Sequence, residues 1–109
     1  MTIEALKKVM DETGLYYDPD HPDYVESKKK NTLAPPFLEF ELEKKSEAAD
    51  NVDYFSWSVI YVRVYTDVGD KAEETVESVL KAHGMFYTKD RAFLPEMGIW
   101  EAVYTMEEL

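Results

Sequence analysis

From residue 53 to residue 66 the chain reads Asp-Tyr-Phe-Ser-Trp-Ser-Val-Ile-Tyr-Val-Arg-Val-Tyr-Thr, with polar positions sparse after Ser58 and no Gly or Pro interrupting. Aromatic and β-branched side chains at that density predict a strand. Alternation sends Phe55, Trp57, Val59, Tyr61 and Tyr65 to one face, with Arg63 among them, and Tyr54, Ile60, Val62 and Val64 to the other, where Ser56 and Ser58 dilute the first half. The second half therefore reads as buried on both faces and the first half on one. Such a strand spans roughly 46 Å at about 3.3 Å per residue, whereas a compact chain of this length has a radius of gyration near 13 Å. One end must project, bend at a bulge, or lie against another chain.

Upstream, residues 37–42 alternate as Leu38, Phe40 and Leu42 toward a core and Phe37, Glu39 and Glu41 toward a largely wet side, and residues 43–51 read as a polar connection to the long strand. An antiparallel pair of neighbours is the simplest arrangement. After Thr66 the period becomes 3.6. Asp70 at the N-cap, Glu73 three residues on and Gly84 at C′ frame a helix whose stripe is Ala72, Val76, Val79, Leu80 and His83, with Lys71, Glu74, Glu77, Ser78 and Lys81 in water. His83, with no second His or Cys to join it, reads as a helix-end cation or packing residue. A first helix over 3–13, capped by Thr2 and closed by Gly14, buries Ile3, Leu6, Val9, Met10 and Thr13. Two more strands follow over 85–94 and 99–106; Asp90-Arg91 offers a turn within the first, and Pro95 to Gly98 separates the two. Trp100, Ala102, Tyr104 and Met106 share one face of the last strand, Ile99, Glu101, Val103 and Thr105 the other. The order helix, two strands, helix, two strands predicts one α+β domain over 1–109, a mainly antiparallel or mixed four-stranded sheet with two helices and one long projecting strand. Its expected core is Leu38, Phe40, Ile60, Val62, Val64, Val76, Val79, Leu80 and Val103.

Between about 18 and 34 no period holds, and a loop that long is usually functional or disordered. Asp18, Asp20, His21 and Asp23 offer metal-binding side chains, but their spacing fits no calcium loop and no helical His pair, and Pro19 and Pro22 account for them as turn chemistry. Lys28, Lys29 and Lys30 form the basic cluster of an acidic chain; they read as a solvated loop face, removable without loss of fold, or as a contact for a neighbour's carboxylates.

Composition narrows the function classes. With 23 acidic against 12 basic residues, the net charge of -11 disfavours wrapping or reading a phosphate backbone. The absence of Cys removes disulfides, thiolate chemistry and cysteine zinc sites. No apolar run approaches the ~20 residues of a membrane span, and the amino terminus lacks a signal-peptide order, as expected of a protein folded in a cytoplasm. There is no phosphate loop and no nucleophile elbow, and the carboxylates read mostly as surface solvation. The expectation is no enzyme, no cofactor and no metal.

Taken together, Pro35-Pro36-Phe37 leading into a strand, Ala49-Asp50-Asn51 with Tyr54 three residues later, Tyr61 to Tyr65-Thr66, the Glu-rich helix ending in Leu80 and the closing Ile99-Trp100-Glu101-Ala102-Val103-Tyr104 resemble the tail-completion or tail-terminator proteins of long-tailed phages and prophages of Gram-positive bacteria. The resemblance covers about residues 35–104; Phe37 stands where the family often has Tyr, and the 18–32 loop has no counterpart. It implies a virion protein, assembled in the host cytoplasm, that forms a ring, usually a hexamer, on the tail tube and docks to the head connector while DNA passes through. Interface residues are then expected among Tyr54, Phe55, Trp57, Arg63, Lys28, Lys29 and Lys30, since aromatic side chains carry much interface energy. An acidic ring lumen would let the duplex slide; the acidity equally serves solubility. A head-side stopper or adaptor of the same assembly, or a non-viral α+β ligand-binding domain, are the alternatives.

Overall fold

A computed structural model of the chain describes residues 1–29, 32–48, 54–68 and 70–108. Helix α1 spans Ile3–Asp11, a short α2 Glu26–Lys29, and α3 Ala72–Ala82; the strands are β1 Phe37–Ala48, β2 Tyr54–Thr66, β3 Thr88–Leu94 and β4 Ile99–Glu108. All four strands form one antiparallel sheet in the order β1-β2-β4-β3. The α+β architecture follows from the periods in the sequence, and the hairpin of neighbours β1 and β2 is present.

Thr2 caps α1, its Oγ1 accepting the Ala5 N–H at 3.1 Å. Gly14 and Gly84 take left-handed φ values of 71° and 67° beyond the two longer helices, a conformation that favours glycine. The N-cap of α3 is Lys71 and not Asp70, since the helix begins one residue later than the spacing suggests; the Asp70 carboxylate still accepts the Ala72 N–H at 2.9 Å. Glu73, however, does not close a capping box: it accepts from Thr66, Lys89 and Arg91 instead.

Helices α1 and α3 cover one face. Leu6, Val9, Met10, Ala72, Val76 and Leu80 meet Leu38, Phe40, Ile60, Val62, Val64, Ala102, Tyr104 and Met106, while Val79 and Leu42 are partly buried at the margin. Val103 is a correction: it lies on the opposite face and is only half-buried, because no helix covers that side at its level. The far face has its own smaller cluster of Val25, Phe37, Tyr65 and Ile99, closed by Leu33, Leu94 and Met97.

Three further departures have physical reasons. β1 continues to Ala48 through residues read as a polar connection, because each pairs with a residue of β2, from Glu43 with Val59 to Ala48 with Tyr54; pairing overrides weak strand propensity. Asp90-Arg91 makes no turn, since β3 runs unbroken along β4. And the long loop is ordered over much of its length: Tyr16 bridges to Phe37, the Leu38 N–H donates to the Tyr16 carbonyl at 2.9 Å, and the Phe40 N–H donates to the Pro22 carbonyl at 2.8 Å.

The long strand does project. β4 pairs with β2 only from Ser58 to Thr66, so the pairs Lys45 with Trp57 through Ala48 with Tyr54 form a two-stranded ribbon beyond the sheet. It adds about 13 Å. The molecule accordingly measures 52 × 29 × 25 Å with a radius of gyration of 15.3 Å, against about 13 Å for a compact chain of this length.

Candidate interaction surface

The far face is built in rows across the strands. One row runs Phe37, Tyr65, Glu101, Ala92; the next Glu39, Arg63, Val103, Asp90; the next Glu41, Tyr61, Thr105, Thr88; then Glu43, Val59, Glu107, and finally Lys45 and Trp57 on the ribbon. The loop that precedes β1 covers the first rows; in the later ones Tyr61 and Thr105 are half-exposed, while Val59 is buried.

Glu39 holds that loop down. Expected in water, it is buried at 1% exposure. Its carboxylate accepts from the Val25 N–H at 2.7 Å, Lys28 Nζ at 2.8 Å, the Tyr65 hydroxyl at 2.9 Å and Arg63 Nε at 3.3 Å. Arg63 also donates to the Asp23 carbonyl at 3.1 Å and to Glu41 at 3.4 Å, and the Lys28 ammonium lies 4.9 Å from the Tyr65 ring centre. Burial by itself pushes the Glu39 carboxyl up, but the bonds from Lys28, the Val25 N–H and Tyr65 outweigh it and hold the group below the usual carboxylate value. Burial, with hydrogen bonds to Glu101 and Glu39, raises the Tyr65 hydroxyl far above its ordinary value. A charged carboxylate without donors would be costly here; with them it fixes the loop's position.

Lys28 and Arg63, expected at an interface between chains, are thus engaged within their own chain. Removing residues 27–31 would take Lys28 from Glu39, so the segment is not the dispensable loop its composition suggests. Lys30 and the side chains of Lys29, Tyr54 and Phe55 lie outside the described residues; Trp57 sits half-buried on the ribbon.

On the helix side a second polar network joins α3 to the edge strand. Glu77 accepts from the Tyr104 hydroxyl at 2.8 Å and Lys89 at 2.8 Å, and Glu73 from Lys89 at 2.9 Å and Arg91 at 3.0 Å. Burial raises both carboxyls, but Lys89, joined by Arg91 at Glu73 and by the tyrosine hydroxyls at Glu77, brings them below the usual value. Arg91 lies 4.1 Å from the Trp100 ring centre, so the two cations of β3, Lys89 and Arg91, are committed to the helix side. His83 ends α3 with Nε2 2.7 Å from Glu12.

The loop aspartates do turn chemistry: the Asp18 carboxylate accepts the Asp20 and His21 N–H groups at 2.9 and 3.2 Å. Among the described residues no three His, Asp or Glu side chains are placed to hold a metal ion, and no helix is long and apolar enough to cross a membrane. Sequence reasoning missed Phe86, which is 92% exposed in the link from α3 to β3. It borders a hollow of about 230 Å³ shared with Met1, Ile60, Met85 and Met106, and another of about 500 Å³ shared with Thr88, Thr105 and Glu107. Its apolar neighbours Met85 and Tyr87 make it part of a strand expected over 85–94, whereas β3 begins at Thr88 and leaves Phe86 in the link.

What this arrangement offers is surface: a ribbon beyond the sheet, an exposed aromatic at its foot, and an open half-face of sheet. No family model, no curated protein and no solved structure matches the chain.

Proposed function

We propose that the chain is a structural virion-assembly subunit of the tail-terminator kind, one that closes into a ring, a hexamer by the resemblance, on the end of a phage tail tube. There it ends tube growth and presents a surface to the head connector, acting without catalysis or cofactor while DNA passes through without being read. The observation that carries this reading is the β1–β2 ribbon, which extends past the sheet with Trp57 at its base. A two-stranded ribbon alone is marginal in water, and a second subunit laid against it adds packing. Exposed Phe86 adds an aromatic anchor of the sort that dominates interfaces. Against a ligand-binding role, the one buried carboxylate among the described residues, Glu39, already has four donors.

The test is mass by light scattering across concentration and salt. A ring of about six copies, or a monomer–ring equilibrium that grows with concentration, supports the reading. A strict monomer that adding tail tubes leaves uncapped and unassembled refutes it.

A further inference from the structure

The far face is open in part: from the β4–β3 end of the Glu39 and Arg63 row through the row of Tyr61 and Thr105, with Val59 of the next row buried. Tyr61, Val103 and Thr105 are half-exposed, and Glu43, Thr88, Asp90 and Glu107 are exposed around them. The hollow of about 500 Å³ lies on this side, bounded by Thr88, Thr105, Glu107 and Phe86. The row of Glu41, Tyr61, Thr105 and Thr88 spans four strands about 4.8 Å apart, and Val103 and Asp90 on one side and Glu43 and Glu107 on the other extend it by about 7 Å each way, an area roughly 15 by 14 Å. That matches a helix about 10 Å thick and two to three turns long.

The charges around this area are unbalanced. Glu43 and Glu107 flank Val59, Glu41 flanks Tyr61, and Asp90 flanks Val103 across the strands. Arg63 is engaged with Glu39 and Glu41, and Lys89 and Arg91 are turned to the helix side by Glu73 and Glu77. Among the described residues, Lys45 is the cation left on the border. A second copy laid face to face would set carboxylates against carboxylates, which costs binding energy, whereas a cationic partner would be steered in.

We propose that this half-face docks a cationic amphipathic helical segment of another protein, its apolar side chains on Tyr61, Val103 and Phe86 and its lysines or arginines against Glu43, Asp90 and Glu107. The proposal concerns a surface other than the ribbon and stands whether or not the chain closes into a ring.

The experiment titrates the isotope-labelled full chain with a synthetic three-turn peptide, a leucine stripe flanked by lysines, and with its counterpart in which each lysine is glutamate, following backbone amide shifts. Expected are shifts centred on Tyr61, Val103, Thr105 and Phe86 with the lysine peptide and none with the glutamate peptide. Asp90→Lys combined with Glu107→Lys should weaken binding about tenfold or more. Glu4→Lys combined with Glu74→Lys changes net charge equally on exposed positions of the helices that cover the opposite face of the sheet and should leave binding within about twofold, since screened charges there act weakly on a peptide docked on this face. Equal weakening by the two pairs, shifts spread over the helix side, equal binding of the glutamate peptide, or no binding at all would overturn the proposal. So would shifts at the same amides on raising protein concentration alone, which would make a second copy the occupant.

Discussion

On the helix side of the sheet, Val76 and Leu80 of α3 and Leu6 and Met10 of α1 bury apolar surface against Phe40, Val62 and Tyr104, with ion pairs only at the rim. On the far side the cover is a loop, and the group at the centre of the contact is a carboxylate taking four hydrogen bonds. The first cover is non-directional and scales with area. The second is directional, and removing any partner leaves charge buried. One sheet thus carries a side that tolerates shape-preserving change and a side that tolerates almost none.

The sharpest way to break this comparison is Val76→Asp, a charge at a fully buried position on the helix side. It should abolish the cooperative thermal melt, since the whole margin is about 5–15 kcal/mol; a retained melt would mean α3 is not what holds the sheet. Glu39→Gln strands Lys28 and Arg63 and should cost about 3–5 kcal/mol. Its particular signature is hydrogen exchange: loop amides from Tyr16 to Val25 should lose protection while α3 keeps much of its own. Uniform loss over both would show that the two covers unfold as one unit.

How legible was each side? The helix side was written in periods, two through Ile60, Val62 and Val64 and 3.6 through Val76 and Leu80. The Glu39 site was not, because its donors Val25, Lys28 and Tyr65 lie 14, 11 and 26 residues away in the chain. One clue was present: Arg63 stands on an otherwise apolar face of the long strand, and a hairpin register that pairs Phe40 with Val62 puts Glu39 opposite it. A charge on such a face calls for a partner. The extension of β1 through Glu-Lys-Lys-Ser-Glu-Ala could not be read locally, since the strand there is imposed by β2. The open half-face was invisible because exposure depends on what the loop fails to cover, and Phe86 because its apolar neighbours Met85 and Tyr87 read as strand.

Lys28→Met leaves Glu39 three of its donors and should cost about 1.5–3 kcal/mol by denaturant melt. A loss below about 0.5 kcal/mol would show that the loop clasp does not need its ammonium.

The pH dependence sharpens the contrast further. The folded carboxyl of Glu39 is depressed, against an unfolded value near 4.3. Its contribution is therefore complete above that value and is lost as pH falls through the folded one. Glu73 and Glu77 are depressed as well and act in the same direction. Wild-type stability should then fall below about pH 4, and Glu39→Gln should flatten that fall only in part. The smallest effect expected is Trp57→Ser, under about 1 kcal/mol on the melt, with its loss appearing in assembled mass. A full-sized drop in melting temperature would place the ribbon inside the folding unit.

The two tryptophans sit in unlike places, Trp57 on the ribbon and Trp100 against the Arg91 guanidinium at 4.1 Å and the Phe93 ring at 5.2 Å. They act as two built-in optical reporters. A cationic group stacked on the indole gives Trp100 an emission tied to the state of the body, while Trp57 answers to whatever approaches the ribbon. With either one replaced by Phe, fluorescence separates events at the ribbon from events in the body without attaching a dye.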